Sequence, residues 1–92
     1  MRTTKKALHE IRMSDLKNAL HRDLVSRIGA EKMLDDDTEL FSSGLIDSLG
    51  VMDLISFIEG KVGCGIMPAD ITLENFDSIA RIVQFVERLI AG

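Results

Sequence analysis

Residues 40–49 of this chain read LFSSGLIDSL, and they place an Asp-Ser pair directly before an apolar segment. Aspartate and serine are residue types that cap helix N-termini, so the pair predicts a helix that begins at Ser48. A serine at that position has an accessible hydroxyl group, and the amide groups of the first helical turn carry partial positive charge. A phosphate ester on the Ser48 hydroxyl would therefore lie at a favourable anion site.

Three long amphipathic helices are predicted on either side of this stretch, because apolar residues recur there every three or four positions. The first stripe consists of Leu16, Leu20, Leu24 and Ile28. The second consists of Val51, Leu54, Ile55 and Ile58. The third consists of Ile79, Ile82, Val83, Val86, Leu89 and Ile90. Residues 72–76 predict a fourth, short helix, and no alternating strand pattern competes with this all-α reading.

The expected ends of these helices follow from residue types with known capping preferences. Ser14 is expected to cap the first helix and Gly29 to end it. The second helix is expected to end at about Glu59, before a segment that is rich in glycine. Asp77 or Ser78 is expected to cap the last helix.

The connection formed by residues 34–47 is long and acidic, but it also contains Leu40, Phe41, Leu45 and Ile46. These side chains are too apolar for a free loop, so we expect them to hold the connection against the helices. Long ordered loops of this kind often carry functional residues.

Composition limits the possible functions of the chain. Its 92 residues suffice for one small domain, and the net charge of −4 with four Phe, no Trp and no Tyr disfavours nucleic-acid binding. Charge is unevenly distributed, because residues 33–80 contain ten Asp and Glu but one Lys. An acidic surface around Ser48 would attract basic partner surfaces.

The ten residues LFSSGLIDSL resemble the attachment region of acyl, peptidyl and aminoacyl carrier proteins, and the resemblance extends over about residues 16–89. It implies that Ser48 receives 4′-phosphopantetheine from coenzyme A, and that the thiol of this arm holds a cargo as a thioester. Asp47 would be the acidic neighbour that acts during the Mg²⁺-dependent transfer of the arm. The implied fold is a small all-α four-helix bundle of the acyl-carrier-protein type, with three main helices and one short helix.

The composition and the resemblance also predict the domain organisation of the chain and the partners that it binds. Residues 1–13 would form a basic N-terminal segment, either a frayed tail or an extension of the first helix, and residues 14–92 the carrier domain. The expected partners are a phosphopantetheinyl transferase, an acyl- or amino acid-activating ligase and a downstream acceptor enzyme. Leu49 and Met52 fall partly off the apolar face of the second helix, so they form either an exposed contact for a partner beside the serine or ordinary peripheral core. Ile46 and Asp53 are the other expected partner contacts. The protein itself would catalyse nothing.

The type of cargo is indicated by departures from the fatty-acid pattern. Carriers of the fatty-acid type typically have an acidic residue soon after the Ser-Leu pair and clustered acids at the end of that helix. Here Gly50 and Gly60 stand at those places, although Asp53 and Glu59 remain. The chain therefore resembles free-standing D-alanyl or aminoacyl carriers more closely. A fatty-acid or polyketide carrier, and a carrier-like binding module without an arm, are the alternatives.

Other chemistries have weaker support in the sequence. A hydrolase built on Ser48 lacks the Gly-x-Ser-x-Gly pattern, and its only candidate bases are His9 and His21, which we expect at the surface. The acidic residues 35–39 resemble the start of a calcium loop, but the required Gly and Glu positions are occupied by Leu40 and Ile46. The single cysteine, Cys64, excludes an internal disulfide and is expected in a loop.

The remaining expectations concern location and assembly. The chain has no secretory signal pattern and no apolar run long enough for a membrane span, so a cytoplasmic protein is expected. We also expect a monomer.

Overall fold

The computed structural model describes residues 12–29 and 34–91, and all regular structure within these ranges is helical. The helices are α1 (Met13–Ile28), α2 (Ser48–Val62), α3 (Leu73–Phe76) and α4 (Ile79–Ala91), with a 3-10 turn at Pro68–Asp70. Helix α4 packs against both α1 and α3. The predicted all-α architecture of three long helices and one short helix is confirmed. Most of the basic N-terminal segment, including His9, lies outside the described residues.

The core is formed mainly by residues of the predicted apolar stripes, although Ile28, Val51, Val83, Leu89 and Ile90 are only partly buried. From α1, Leu16, Leu20 and Leu24 have no exposed surface. The other helices contribute the buried residues Leu54, Ile55, Ile58, Val62, Phe76, Ile79, Ile82, Phe85 and Val86. Phe85 lies outside the predicted stripe of α4, and its ring packs on Phe76 with 5.2 Å between ring centroids. This aromatic contact joins α3 to α4.

Two predicted helix ends differ from the structure. Helix α1 begins at Met13 with Arg12 as the N-cap residue and no side-chain cap bond, so Ser14 lies inside the first turn. Helix α2 continues through Gly60 to Val62 and ends at Gly63, which adopts a left-handed φ of 80°. An isolated glycine lowers helix propensity by only about 1 kcal/mol, which the packing of Ile58 and Val62 in the core outweighs.

The other predicted ends are confirmed. Gly29 ends α1 at φ 106°, and its amide donates to the carbonyl of Val25. Helix α3 lies within the predicted residues 72–76, and the side chain of Thr72, for which no capping role is predicted, caps its start. Ser78 caps α4, because its Oγ accepts a hydrogen bond from the amide of Arg81 at 3.2 Å.

The long connection before α2 is packed and fastened, as its apolar residues predict. Leu40 is fully buried, Ile46 is 7% exposed, and Phe41 and Leu45 pack against the core. The amide of Leu40 donates to the carbonyl of Asp77, and the amide of Ala80 donates to the carbonyl of Asp36. The start of α4 therefore holds the loop that leads to Ser48.

Candidate functional site

Ser48 is the first residue of α2, and its side chain is exposed. The preceding residue, Asp47, is the N-cap, with extended backbone and a side-chain Oδ1 that accepts a hydrogen bond from the amide of Gly50 at 2.9 Å. The helix therefore begins where the sequence predicts. The exposed hydroxyl of Ser48 lies beside amide groups that have no acceptor within the helix, and such a position is favourable for a phosphate ester.

Gly50 allows the loop to pack closely on the first turn of α2. A Cβ atom at this position would lie 2.5 Å from Cγ2 of Ile46, which is too close for any real side chain. Because Ile46 is buried, it has little freedom to move away. The chain can therefore follow its observed path immediately before Asp47 only because position 50 carries no side chain.

The loop also makes a tight turn shortly before α2. Gly44 adopts a left-handed φ of 87°, which side chains other than glycine rarely allow, and its amide donates to the carbonyl of Phe41 at 3.1 Å. This turn reverses the chain and brings Ile46 back to Leu40, whose carbonyl accepts the amide of Ile46 at 2.9 Å.

An apolar groove opens beside Ser48. It encloses about 500 Å³ between the loop, the first turns of α2 and the segment that contains α3. Its apolar walls are formed by Phe41, Ile46, Val51, Ile71, Leu73 and Phe76. A group attached to the Ser48 hydroxyl would start at the rim of this groove.

Two of the residues predicted to meet partners are exposed apolar side chains. Leu49 is 78% exposed and Met52 is 62% exposed, although both belong to a helix that buries its other face. Large apolar side chains with this exposure, adjacent to a candidate site, are typical of a binding surface. Ile46 differs from them, because it is buried in the core and presents little surface to a partner.

The fourth predicted contact residue, Asp53, is already paired within the chain. Its Oδ2 lies 3.5 Å from Nη1 of Arg27 in α1, and the same guanidinium group binds Asp23 at 2.7 Å. The hydrogen bond from Arg27 to Asp23 and the charges of both carboxylates raise the pKa of Arg27. A basic residue of a partner would compete with Arg27 for Asp53.

Asp77, which the sequence predicts only as a possible helix cap, is a further functional candidate. Its side chain is 8% exposed, and Oδ1 accepts hydrogen bonds from the amides of Phe41 at 2.7 Å and Ser42 at 3.0 Å. Its Oδ2 accepts the hydroxyl of Ser42 at 2.6 Å. Burial disfavours the charged carboxylate, but the hydrogen bonds from Ser42 and Phe41 outweigh it, so the pKa of Asp77 is lowered.

The lowered pKa predicts a pH-dependent stability. The folded-state pKa of Asp77 lies below its value in the unfolded chain, so the charged carboxylate stabilises the folded protein. This stabilisation is complete at pH values above the unfolded-state pKa and is lost as the pH falls through the folded-state pKa. We expect the Asp77→Asn variant to lose less stability on acidification below about pH 4 than the parent protein does. Urea unfolding between about pH 3 and pH 6 measures this, and parallel curves for the two proteins would contradict it.

The remaining sequence candidates have structural roles. The acidic residues that follow Leu34 form a local turn, in which Asp35 Oδ1 accepts the amide of Asp37 and the hydroxyl of Thr38. Within residues 12–29 and 34–91, no group of three His, Cys, Asp or Glu side chains could hold a metal ion. His21 is exposed, as predicted, and Cys64 is a half-buried free thiol in the connection after α2.

Comparison with known proteins agrees with this geometry. The family model described as the phosphopantetheine attachment site matches residues 18–86. The D-alanyl carrier protein of Enterococcus faecalis is 36% identical over 59 residues, which cover 64% of this chain and 76% of that protein. The D-alanyl carrier protein of Abiotrophia defectiva is 32% identical over 58 residues, which cover 63% of this chain and 73% of that protein.

The helical fold and the attachment motif define a carrier protein. The chain belongs to the phosphopantetheine attachment site family, since the family model covers most of its length. Membership implies a covalently attached 4′-phosphopantetheine. The residues around α2 fit this group, because the exposed Ser48 hydroxyl would supply an attachment oxygen and the adjoining groove would supply apolar surface for an aliphatic chain. No helix in the described part of the chain is long and apolar enough to cross a membrane.

Proposed function

We propose that this protein is a non-catalytic carrier that holds an aminoacyl group on a 4′-phosphopantetheine arm attached to Ser48. The observation that carries the proposal is the position of Ser48, exposed at the first residue of α2, directly after a capping aspartate and at the rim of an apolar groove. The bound arm would supply a thiol that holds the cargo as a thioester. The chain's own residues would present the attachment oxygen and the surfaces that other enzymes bind.

Asp47 would act in the transfer of the arm to Ser48. Its Oδ1 is occupied by the amide of Gly50, whereas no hydrogen bond within the described residues uses Oδ2. That second oxygen is a hard, charged ligand of the kind that Mg²⁺ prefers. Asp47 could therefore cap the helix and help to hold the transferase's metal ion at the same time.

We expect Asp47→Asn to separate these two roles. Asparagine caps helices about as well as aspartate, so the free energy of unfolding should change by less than about 0.5 kcal/mol. Because the negative charge is lost, the rate of arm transfer should fall by about tenfold or more. Asp47→Ala is the matched control, which should lose both the cap and the rate. Arm transfer to Asp47→Asn at the parent rate would contradict the metal role.

An amino acid is the proposed cargo, and D-alanine is the first candidate. The support comes from the names of the similar proteins, which are D-alanyl carrier proteins, and from Gly50 and Gly60 at places where fatty-acid carriers have acidic residues. Incubating the arm-bearing protein with a D-alanine-activating ligase and, separately, with a fatty-acyl-activating ligase tests the choice. Loading by the acyl ligase alone would replace the aminoacyl assignment with the fatty-acid one.

Partner enzymes would bind the exposed side of α2 near its first residue. Leu49 and Met52 provide apolar contact there, and Asp53 provides charge once it exchanges Arg27 for a basic partner residue. The proposed partners are a phosphopantetheinyl transferase, an amino acid-activating ligase (an adenylation enzyme or one that resembles aminoacyl-tRNA synthetases) and an acceptor enzyme.

We propose that the carrier domain begins near residue 14, and that the protein works as a monomer in the cytoplasm.

The experiment that tests the carrier function is an intact-mass measurement. The protein is incubated with coenzyme A, Mg²⁺ and a phosphopantetheinyl transferase of broad specificity. We expect the mass to rise by one phosphopantetheine group, with all of the added mass on the peptide that contains Ser48. A folded protein that gains no mass would instead be the binding module without an arm.

A further inference from the structure

Asp77 connects the start of α4 to the loop before Ser48 through four hydrogen bonds. Its carboxylate accepts the amides of Phe41 and Ser42 and the hydroxyl of Ser42, and its carbonyl accepts the amide of Leu40 at 2.8 Å. The helix cap itself is supplied by the neighbouring Ser78. Asp77 therefore directs its side-chain hydrogen bonds to the loop rather than to its own helix.

The loop connects the hydrogen bonds of Asp77 to the candidate site around Ser48. The peptide group between Leu40 and Phe41 makes the connection, because its N–H donates to the Asp77 carboxylate at 2.7 Å and its carbonyl accepts the amide of Ile46 at 2.9 Å. Ile46 is in turn confined by its close approach to Gly50. Between the Asp77 carboxylate and Asp47 the path thus runs through the Leu40–Phe41 peptide group and the buried Ile46, and each step is a hydrogen bond or a packed contact.

We infer that Asp77 is a positioning residue for Ser48, which fixes the loop so that the hydroxyl and the capping carboxylate of Asp47 are presented together to the transferase. The inference rests on the proposed attachment at Ser48. A buried carboxylate that accepts several hydrogen bonds holds its donors in a defined geometry. Small misplacements of a reacting group lower reaction rates steeply, by up to about a hundredfold for about 1 Å.

The test compares Asp77→Ala with Val62→Ala as a control for stability alone. Val62 is fully buried but lies at the end of α2 remote from Ser48. Urea titration establishes the conditions under which both variants are at least about 95% folded, so that unfolding does not contribute to the rates. Two readouts are then measured: kcat/KM for arm transfer with the carrier as the varied substrate, and the amide resonances of Ile46 and Gly50 in two-dimensional NMR spectra.

We expect Asp77→Ala to lower kcat/KM by about tenfold or more and to shift both resonances. Val62→Ala should stay within about twofold of the parent protein. Asp77→Asn should recover most of the rate, because its side-chain oxygen can still accept the two amides and its nitrogen can donate to Ser42. The inference is overturned if Asp77→Ala is modified at the parent rate, or if Val62→Ala is slowed equally.

The experiment also separates the inference from the proposed function. If the parent protein gains no arm, the proposed function fails, whereas a modified parent with an unaffected Asp77→Ala variant removes only the positioning role. Should Asp77→Ala not fold, Ser42→Ala carries the test, since it removes one donor and leaves the carboxylate. A rate about two- to threefold below that of the parent supports the inference, and an unchanged rate with unchanged Ile46 and Gly50 resonances overturns it.

Discussion

Replacing Ser48 by alanine is expected to abolish arm attachment completely while leaving the fold intact. Attachment needs the hydroxyl oxygen, and no neighbouring atom of the first turn of α2 can replace it. The side chain is exposed and makes no hydrogen bond among the described residues, so its removal should change the free energy of unfolding by less than about 0.5 kcal/mol. Intact mass after incubation with coenzyme A and the transferase measures the first effect, and urea unfolding measures the second.

Ser56→Ala is the matched control for this variant. Ser56 is an exposed serine in the same helix, outside the attachment motif, and its substitution removes the same hydroxyl group. We expect Ser56→Ala to gain the full mass of one arm. Any mass gain by the Ser48→Ala variant would mean that the arm is carried elsewhere and that the assignment of Ser48 is wrong.

The same substitution at two glycines of α2 is expected to have opposite effects on stability. Gly50→Ala adds a methyl group 2.5 Å from Cγ2 of buried Ile46, so the free energy of unfolding should fall by about 1 to 2 kcal/mol. Gly60→Ala adds a methyl group with nothing within 4 Å, so stability should rise by about 0.5 to 1 kcal/mol through helix propensity. Urea unfolding of both variants under identical conditions measures the difference in sign.

Gly60→Ala serves as the control, because it makes the identical chemical change in the same helix. If Gly50→Ala were as stabilising as Gly60→Ala, the contact between Ile46 and the first turn of α2 would not be tight. A stability loss at Gly50 combined with slower arm transfer would show that this contact also affects the presentation of Ser48. Such a result would explain physically why an acidic side chain at position 50 is incompatible with the present loop.

The fold can be predicted from the sequence because its helices depend on local patterns. The stripes of α1 and α4 and the Asp-Ser start of α2 are short-range signals, and each coincides with a helix of the structure. One error occurs where distant packing outweighs local preference, and the other concerns a helix cap. The glycine-rich segment predicts that α2 ends before Gly60, but burial of Val62 extends the helix past it. Capping preference predicts Ser14 as the cap of α1, but the helix begins one residue before it.

The candidate site can be predicted only in part. The motif points to Asp47 and Ser48 as the proposed attachment site, and the exposure of Leu49 and Met52 follows from their position off the apolar stripe. The role of Asp77 could not be derived, because its hydrogen bonds join residues that are 35 and 36 positions apart. The one available signal is an aspartate next to a serine that can cap α4 by itself, which leaves the aspartate free for another partner.

The fastening of the loop by the start of α4 has a consequence for the order of events during synthesis. Chains emerge from the ribosome N-terminus first, so the motif around Ser48 leaves the ribosome before Asp77 and Ala80, which hold its loop. Until those residues arrive, the segment has no carboxylate to bind the amides of Phe41 and Ser42 and no amide for the carbonyl of Asp36. We therefore expect native presentation of the serine only once α4 has formed, so that a nascent chain, or one truncated before Asp77, would be a poor substrate for the proposed transferase.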